Sequence, residues 1–254
     1  MRLLILGGTT EASALAKRIA GRPGLDPMLS FAGRTRSPVV PPIPFRIGGF
    51  GGIAGLKTYL IETKVDAVID ATHPFAAQMS GNAAAACRDL ALPLARLIRP
   101  AWTRKEGDRW TDVATMEAAV RALGESARRV FLTIGGLQLA VFAAAQQHHY
   151  VIRTIDPPGA IDALPSHRLI LARGPFSVAD EITLMRDERI QVLVSKNSGG
   201  AAVGGKIAAA CALGIDVVMV ERPQKAYAPS SGSVDAILAW IEDHCPTPER
   251  RSTP

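Results

Sequence analysis

Residues Arg2–Ala12 read RLLILGGTTEA, and this stretch decides the fold. Leu3 to Leu6 form an apolar run too short for an isolated helix, and the paired glycines Gly7 and Gly8 follow it. The next residues, Thr-Thr-Glu, favour a helix start. The pattern predicts a buried first strand that turns into a first helix, where free helix N–H groups can hold a nucleotide phosphate. A strand–turn–helix joint without a ligand would have the same pattern.

Length and composition favour two domains. The chain has 254 residues, of which 48% are hydrophobic and 20% are charged, which allows one large core or two modest ones. No stretch approaches the ~20 apolar residues of a membrane span, and the first strand lacks the features of a signal peptide. We therefore expect a soluble, cytoplasmic protein with no membrane partner. Cys87, Cys211 and Cys245 lie far apart, so the sequence predicts neither a metal site nor a disulfide set.

The charge balance favours a polyanionic small ligand. The formal net charge is +6, and many arginines lie near turns rather than in one continuous run. Only 5% of the residues are aromatic, and no basic stretch is interleaved with aromatic residues as a base-stacking surface requires. Nucleic acid is therefore not an expected partner.

The second strand supports a nucleotide ligand and indicates which one. The segment Met28–Ala32 is predicted to be a strand, and Arg34, Thr35 and Arg36 follow it. In dinucleotide-binding units an acidic residue at this place holds the adenosine ribose, whereas an arginine accommodates a 2′-phosphate. The sequence thus predicts NADP rather than NAD, with Arg34 and Thr35 as phosphate contacts. Two solvated loop arginines are the alternative.

Strands alternate with helices along the whole chain, and the alternation begins again at the strand Arg129–Ile134. Strand interiors such as Val217–Val220 are apolar on both faces, as in a parallel sheet covered by helices. The sequence therefore predicts an α/β fold with two Rossmann-like domains, each a mainly parallel sheet flanked by helices, with a cleft between them. The predicted domains are residues 1–124 and 125–245, and a disordered tail is expected over 246–254.

Polar residues follow the fourth strand in the segment Asp70–Phe75. In an open parallel sheet the strand after the third lies beside the first, and ligands bind beyond the carboxyl ends of these two strands. We therefore expect this segment to face the cofactor. His73 is the histidine in this position and a candidate for proton transfer, although capping of the next helix would also explain the segment.

In the second half the strongest candidate is Ser195–Gly200, which follows a predicted strand. Lys196 is a mobile cation, and Asn197 and Ser198 can both donate and accept hydrogen bonds. Two glycines then open a predicted helix, Ala201–Leu213, whose N–H groups favour an anion. The alternative is a helix cap with a solvated lysine.

Several common catalytic motifs are absent from the chain. None of Tyr59, Tyr150 and Tyr227 has a lysine four positions later, and neither a zinc-binding His-Glu-x-x-His nor a Gly-x-Ser-x-Gly occurs. Hydride transfer to an electron-poor acceptor needs little side-chain chemistry beyond holding that acceptor against the cofactor.

Five motifs in order resemble those of the precorrin-6A reductase family of cobalamin biosynthesis, and the resemblance spans nearly the whole chain. The first, at the glycine turn, departs from Gly-x-Gly-x-x-Gly at Thr9 and Ala12. The motifs are Leu6–Glu11, Asp70–Ala76, Gly174–Phe176, Ser195–Gly200 and Val220–Pro223.

The resemblance implies an NADPH-dependent oxidoreductase that reduces one double bond of the tetrapyrrole precorrin-6A to give precorrin-6B. The implied partner is a polycarboxylate substrate, and neighbouring enzymes of the pathway are further expected partners. The implied NADPH contacts are Gly7, Gly8, Thr9, Thr10, Glu11, Arg34, Thr35, Thr72, His73 and Pro74. The implied substrate contacts are Lys196, Asn197, Ser198, Gly199 and Arg222.

Three alternatives stay open at this point. The substrate could be cobalt-precorrin-6A of the anaerobic route, since the sequence does not distinguish it from the cobalt-free compound. A non-catalytic NADP(H) sensor would account for the missing Tyr-Lys pair. A nucleotide-sugar transferase would account for two similar α/β halves, but neither of the last two explains both strand-end segments.

Overall fold

The computed structural model describes residues 1–33, 39–159 and 161–244. Contacts divide the chain into two compact units. Unit 1 comprises Met1–Pro100 together with the described part of Gln224–Pro254, and unit 2 comprises Ala101–Pro223. The predicted tail, residues 246–254, lies outside the described residues.

Twelve strands occur within the described residues, and every strand pair is parallel. The strands are β1 (Arg2–Leu6), β2 (Asp26–Phe31), β3 (Phe45–Ile47), β4 (Ala67–Asp70), β5 (Leu94–Leu97), β6 (Trp110–Val113), β7 (Arg129–Leu132), β8 (His149–Thr154), β9 (His167–Leu171), β10 (Val192–Lys196), β11 (Asp216–Val220) and β12 (Ser230–Ser231). They form one sheet in each unit, with the orders β12-β5-β4-β1-β2-β3 and β6-β11-β10-β7-β8-β9. The predicted α/β fold with parallel sheets is confirmed.

Helices connect the strands and cover the sheets. They are α1 (Thr10–Ile19), α2 (Gly52–Glu62), α3 (Ala77–Asp89), α4 (Met116–Ala122), α5 (Val178–Asp187), α6 (Gly205–Leu213) and α7 (Val234–His244). Within the described part of the chain, no helix has the length and apolar character that crossing a bilayer requires.

The first strand shows why unit 1 has helices on both faces of its sheet. Leu3 and Ile5 point to one face and pack in a cluster with residues of α1 and α7, including Leu15 and Ile237. Leu4 and Leu6 point to the other face and pack with residues of α2 and α3. A continuous apolar run is therefore needed, because successive side chains in a strand alternate between two buried faces.

The predicted domain boundary at residue 124 is wrong, and so is the assignment of the C-terminal helix to the second domain. The chain passes into unit 2 after Pro100, because β6 pairs with β11 at the edge of the second sheet. It returns to unit 1 after Pro223, where β12 pairs with β5 and the apolar face of α7 joins the first core. Both strand pairings join segments that are distant in sequence, which hydrophobic periodicity cannot reveal.

Two connections in unit 2 contain 3₁₀ helices. The segment Gly136–Ala144, which follows β7, is a 3₁₀ helix interrupted at Gln138. The helix predicted over residues 201–213 is a short 3₁₀ turn, Ala201–Val203, followed by α6 from Gly205. The first residue of α6 is closely packed, because a Cβ at Gly205 would lie 2.7 Å from the Phe176 carbonyl oxygen.

Candidate functional site

The glycine turn of unit 1 lies where the strand order reverses, at the carboxyl ends of β1 and β4. This is where ligands bind in open α/β sheets. Gly7 donates its N–H to the Ser30 carbonyl at 2.9 Å, and a Cβ at Gly7 would lie 2.6 Å from Leu29 Cδ1. Gly8 has a φ of 112°, and no described atom lies within 4 Å of a Cβ built there. Gly7 thus allows close packing, while Gly8 leaves open space in front of the turn.

Thr9 joins the glycine turn to the end of β4. Its Oγ1 accepts a hydrogen bond from Ala12 N at 3.1 Å, so Thr9 caps α1. The same hydroxyl donates to the Ala71 carbonyl at 2.8 Å. The Thr9 side chain therefore fixes the turn, and the N–H groups that precede Ala12 have no acceptor inside α1.

Glu11, predicted as a cofactor contact, forms an ion pair with Arg99. Arg99 Nη1 lies 2.7 Å from Glu11 Oε2, and both side chains are at most 20% exposed. The carboxylate therefore faces a neutralising partner, and repulsion of a bound phosphate by Glu11 is reduced.

Asp70 at the end of β4 is buried and forms part of the scaffold. Its Oδ1 accepts hydrogen bonds from Thr72 N at 3.1 Å and Thr72 Oγ1 at 2.6 Å, and Arg96 Nε lies 3.2 Å from its Oδ2. Burial alone would raise the pKa of Asp70, but hydrogen bonds with Ser80 and Thr72 and the charge of Lys225 lower it below the value of an ordinary aspartate. The Thr72 hydroxyl thus orients Asp70, which sequence reasoning did not anticipate.

Asp70 should make folding depend on pH in acid. Since the folded state lowers its pKa, its contribution to stability is fully present above the unfolded pKa of about 4 and is lost as the pH falls through the folded pKa. We expect the free energy of unfolding of the wild type to fall more steeply than that of Asp70→Asn as the pH drops below about 4. Urea unfolding at a series of pH values tests this, and parallel curves for the two proteins would contradict it.

His73 lies directly beyond the end of β4. Its Nδ1 accepts a hydrogen bond from Phe75 N at 3.2 Å, and the two rings are 5.8 Å apart. An accepting Nδ1 assigns the proton of the neutral ring to Nε2. Lys225 Nζ donates to the His73 carbonyl at 3.3 Å. Sequence reasoning missed Lys225, because the return of the chain to unit 1 brings it there.

Arg46 is a second residue that sequence reasoning missed. It donates to Ser30 Oγ at 2.8 Å and to the carbonyls of Gly48 and Gly49, and its guanidinium lies 4.0 Å from the centre of the Phe50 ring. Arg46 thus holds the glycine-rich loop after β3 beside the strand whose Ser30 carbonyl binds the glycine turn. Arg34 and Thr35, the predicted 2′-phosphate contacts, lie outside the described residues.

In unit 2 the segment after β10 is held by hydrogen bonds to the backbone. Asn197 Oδ1 accepts from Trp102 N at 2.8 Å, and Asn197 Nδ2 donates to the Trp102 carbonyl at 3.0 Å. Trp102 Nε1 donates to the Gly200 carbonyl at 2.9 Å. The Asn197 amide therefore clamps the backbone of Trp102, a role that a surface substrate contact would not require.

Arg222 and Lys196 complete this second group. Arg222 Nε donates to the Asn197 carbonyl at 2.8 Å, and its Nη2 donates to the Ser198 carbonyl at 2.9 Å. Lys196 Nζ donates to the Ile134 carbonyl at 2.8 Å. Gly199 has a φ of 67°, which favours glycine. The structure thus gathers the five predicted substrate residues in one region of unit 2, with two cations beside backbone carbonyls.

The predicted residues therefore fall into two groups. Unit 1 brings the Gly7–Glu11 turn next to the segment that carries Thr72, His73 and Pro74. Unit 2 holds Lys196 to Gly199 together with Arg222. Among residues 1–33, 39–159 and 161–244, no group of three or more His, Cys, Asp or Glu side chains could hold a metal ion.

Comparisons with known proteins identify the family. A family model described as "Precorrin-6x reductase CbiJ/CobK" matches residues 2–242. A precorrin-6A reductase of Rhodobacter capsulatus is 49% identical over 247 residues, which cover 97% of this chain and 98% of the relative. A solved structure named CobK precorrin-6A reductase has a TM-score of 0.92 and 49% identity, and covers 98% of both chains. A more distant relative, a cobalt-precorrin-6A reductase of Priestia megaterium, is 28% identical over 89% of this chain and 92% of its own. The chain therefore belongs to the precorrin-6x reductase family of oxidoreductases.

Proposed function

We propose that this chain reduces one double bond of precorrin-6A with NADPH to give precorrin-6B in cobalamin biosynthesis. The observation that carries the proposal is the near full-length match to precorrin-6A reductases, together with a glycine turn at the reversal of the strand order. The family implies a nicotinamide cofactor, and the preference for NADPH rests on Arg34 and the absence of an acid at the end of β2.

The residues of unit 1 fit a dinucleotide. The open space in front of Gly8 and the N–H groups that begin α1 suit a pyrophosphate, with Thr10 and Glu11 in the first helical turn. Arg34 and Thr35 would bind the 2′-phosphate, and Thr72, His73 and Pro74 would lie near the nicotinamide ribose. The bound cofactor supplies a hydride to a carbon of the macrocycle.

Reduction of the double bond also requires a proton at the neighbouring carbon. His73 is our candidate for its donor: an imidazolium would release a ring proton to this carbon and return to the neutral ring, whose Nδ1 accepts the hydrogen bond from Phe75 N. Replacing His73 with Gln would keep a hydrogen-bonding side chain of similar size at this position but would remove the titratable group.

The substrate carries several carboxylates, and unit 2 offers cations and N–H groups for them. We propose that Lys196, Ser198, Gly199 and Arg222 bind carboxylates. Asn197 contributes by holding Trp102, since both ends of its amide bind the backbone of that residue. The formal net charge of +6 further favours a polyanion.

The decisive experiment follows NADPH consumption by the purified protein with precorrin-6A, and in parallel with cobalt-precorrin-6A. Formation of precorrin-6B with one NADPH consumed per double bond is the expected result. No turnover by a protein whose circular dichroism shows it to be folded would overturn the proposal. Faster turnover of the cobalt compound would favour the activity named for the Priestia megaterium relative.

Replacing Arg34 with alanine should weaken NADPH much more than NADH. The guanidinium would pair with a 2′-phosphate that NADH lacks, so we expect the Kd of NADPH to rise about tenfold or more. Binding calorimetry with both cofactors measures the two changes, and Arg36→Ala is the neighbouring control. Equal losses for NADPH and NADH would refute the assignment.

We also propose that the protein works in the cytoplasm beside other enzymes of the cobalamin pathway. A pathway intermediate as substrate supports this, because it must be received from one enzyme and passed to another. Pull-down with the enzymes that form precorrin-6A and consume precorrin-6B would test it, and their absence from the captured fraction would contradict it.

A further inference from the structure

Unit 2 exposes large apolar side chains at the carboxyl ends of its parallel strands. Among the described residues of this unit they are Leu137, Ile155, Leu171, Val178 and Val203, with exposed fractions between 39% and 77%. We call this set the apolar rim. Each residue ends a strand or lies in the connection that leaves its carboxyl end, and all strands of this sheet are parallel. The apolar rim therefore lies at the same ends of the strands as the segment after β10.

The amino ends of these strands are polar instead. The connections that lead into them expose residues such as Gln146, Ser166 and Arg189. Single exposed apolar residues are common on protein surfaces, but a random distribution would not place the large ones only at the carboxyl ends of the strands.

Close approach of the backbone links the connections that carry the apolar rim. Gly136, next to Leu137, lies so close to the connection after β8 that a Cβ there would be 2.8 Å from Pro158 Cβ. Thr154 pairs with Leu171 across β8 and β9, and Ala172 N donates to the Thr154 carbonyl at 3.0 Å, so Ile155 follows the residue that pairs with Leu171. These contacts link the connections after three successive strands.

Cationic side chains also lie at the carboxyl ends of these strands. The exposed Arg173 follows β9, Lys196 ends β10, and Arg222 follows β11, and the acidic residues Asp156 and Glu221 follow β8 and β11. A surface that combines apolar side chains with cations suits a ligand with a hydrocarbon face and peripheral carboxylates. A tetrapyrrole macrocycle has this chemistry.

We propose that the apolar rim packs against the hydrocarbon face of the tetrapyrrole and sets the affinity for it, while the cations bind its carboxylates. This inference rests on the proposed function, since it takes the substrate from there. It adds apolar residues that belong to none of the five sequence motifs and that lie at the end of β9 or in the connections after β7, β8, β9 and β10.

The test compares the variants Leu137→Ser and Leu171→Ser with Ile61→Ser, in which an exposed apolar residue of α2 in unit 1 is changed. We expect each rim variant to raise the KM for precorrin-6A by about tenfold, a factor that corresponds to about 1.4 kcal/mol. The Kd of NADPH and the melting temperature should match those of Ile61→Ser. The KM ratio to wild type should persist at high salt, because an apolar contact is not screened.

The outcomes separate the two proposals. Lack of turnover by the wild type would overturn the proposed function, and this inference with it. Turnover by the wild type with the same KM in rim and control variants would overturn the rim inference alone. A wild-type oligomer that the rim variants dissociate in sedimentation, at unchanged KM, would show that a second copy covers the rim and would likewise overturn it.

Discussion

Replacing Arg96 with alanine is expected to lower the free energy of unfolding by about 3–5 kcal/mol, because it leaves the Asp70 carboxylate buried without its ion-pair partner. The two side chains are 8% and 0% exposed and 3.2 Å apart. Arg96 also donates to the Ala226 carbonyl at 3.0 Å, so the variant loosens the returning segment as well. Urea unfolding of the full chain at neutral pH measures the loss.

An exposed ion pair of the same unit provides the matched control. Arg22 and Glu242 lie 2.9 Å apart with side chains 36% and 67% exposed, so Arg22→Ala should change stability by at most about 1 kcal/mol. The double variant Asp70→Asn/Arg96→Met should recover part of the loss, since it removes both charges. A loss in Arg96→Ala no greater than in Arg22→Ala would show that Asp70 does not depend on this partner.

Local chemistry explains what the sequence could predict about the fold. The apolar run of β1 and the glycines after it lie within one strand and one turn, so strand, turn and helix follow from adjacent residues. The position of β4 beside β1 follows from the general topology of parallel sheets. The pairing of β6 in the second sheet and of β12 in the first does not follow from local sequence. In particular, β12 has only two residues and carries no periodic signal.

The sequence predicted which strand ends carry polar residues, and it said less about what each of their side chains contacts. Strand ends predict where polar residues gather, but the partners of each side chain depend on contacts across the chain. Glu11 meets Arg99, and Asn197 meets Trp102 from 95 residues away. A polar residue at a strand end was therefore interpreted as a ligand contact, whereas its side chain stabilises the loop that would carry such contacts.

Replacing Gly8 with alanine is expected to weaken NADPH binding by roughly a hundredfold, or about 2.7 kcal/mol. The backbone at a φ of 112° disfavours any side chain, and the added Cβ would enter the open space in front of the turn. In our proposal this space holds the pyrophosphate, which must approach the backbone closely. Binding calorimetry with NADPH measures the change in Kd.

Gly21→Ala separates the effect on the ligand from the effect on the backbone. Gly21 has a φ of 71° at the other end of α1, and no described atom lies within 4 Å of a Cβ there. Both variants therefore introduce a side chain at a positive φ in open space, and both should lower the melting temperature through backbone strain. Only Gly8→Ala should also weaken NADPH, because only Gly8 lies at the carboxyl ends of β1 and β4. Equal Kd values for the two variants would mean that the glycine turn is an ordinary joint, and that the dinucleotide binds elsewhere.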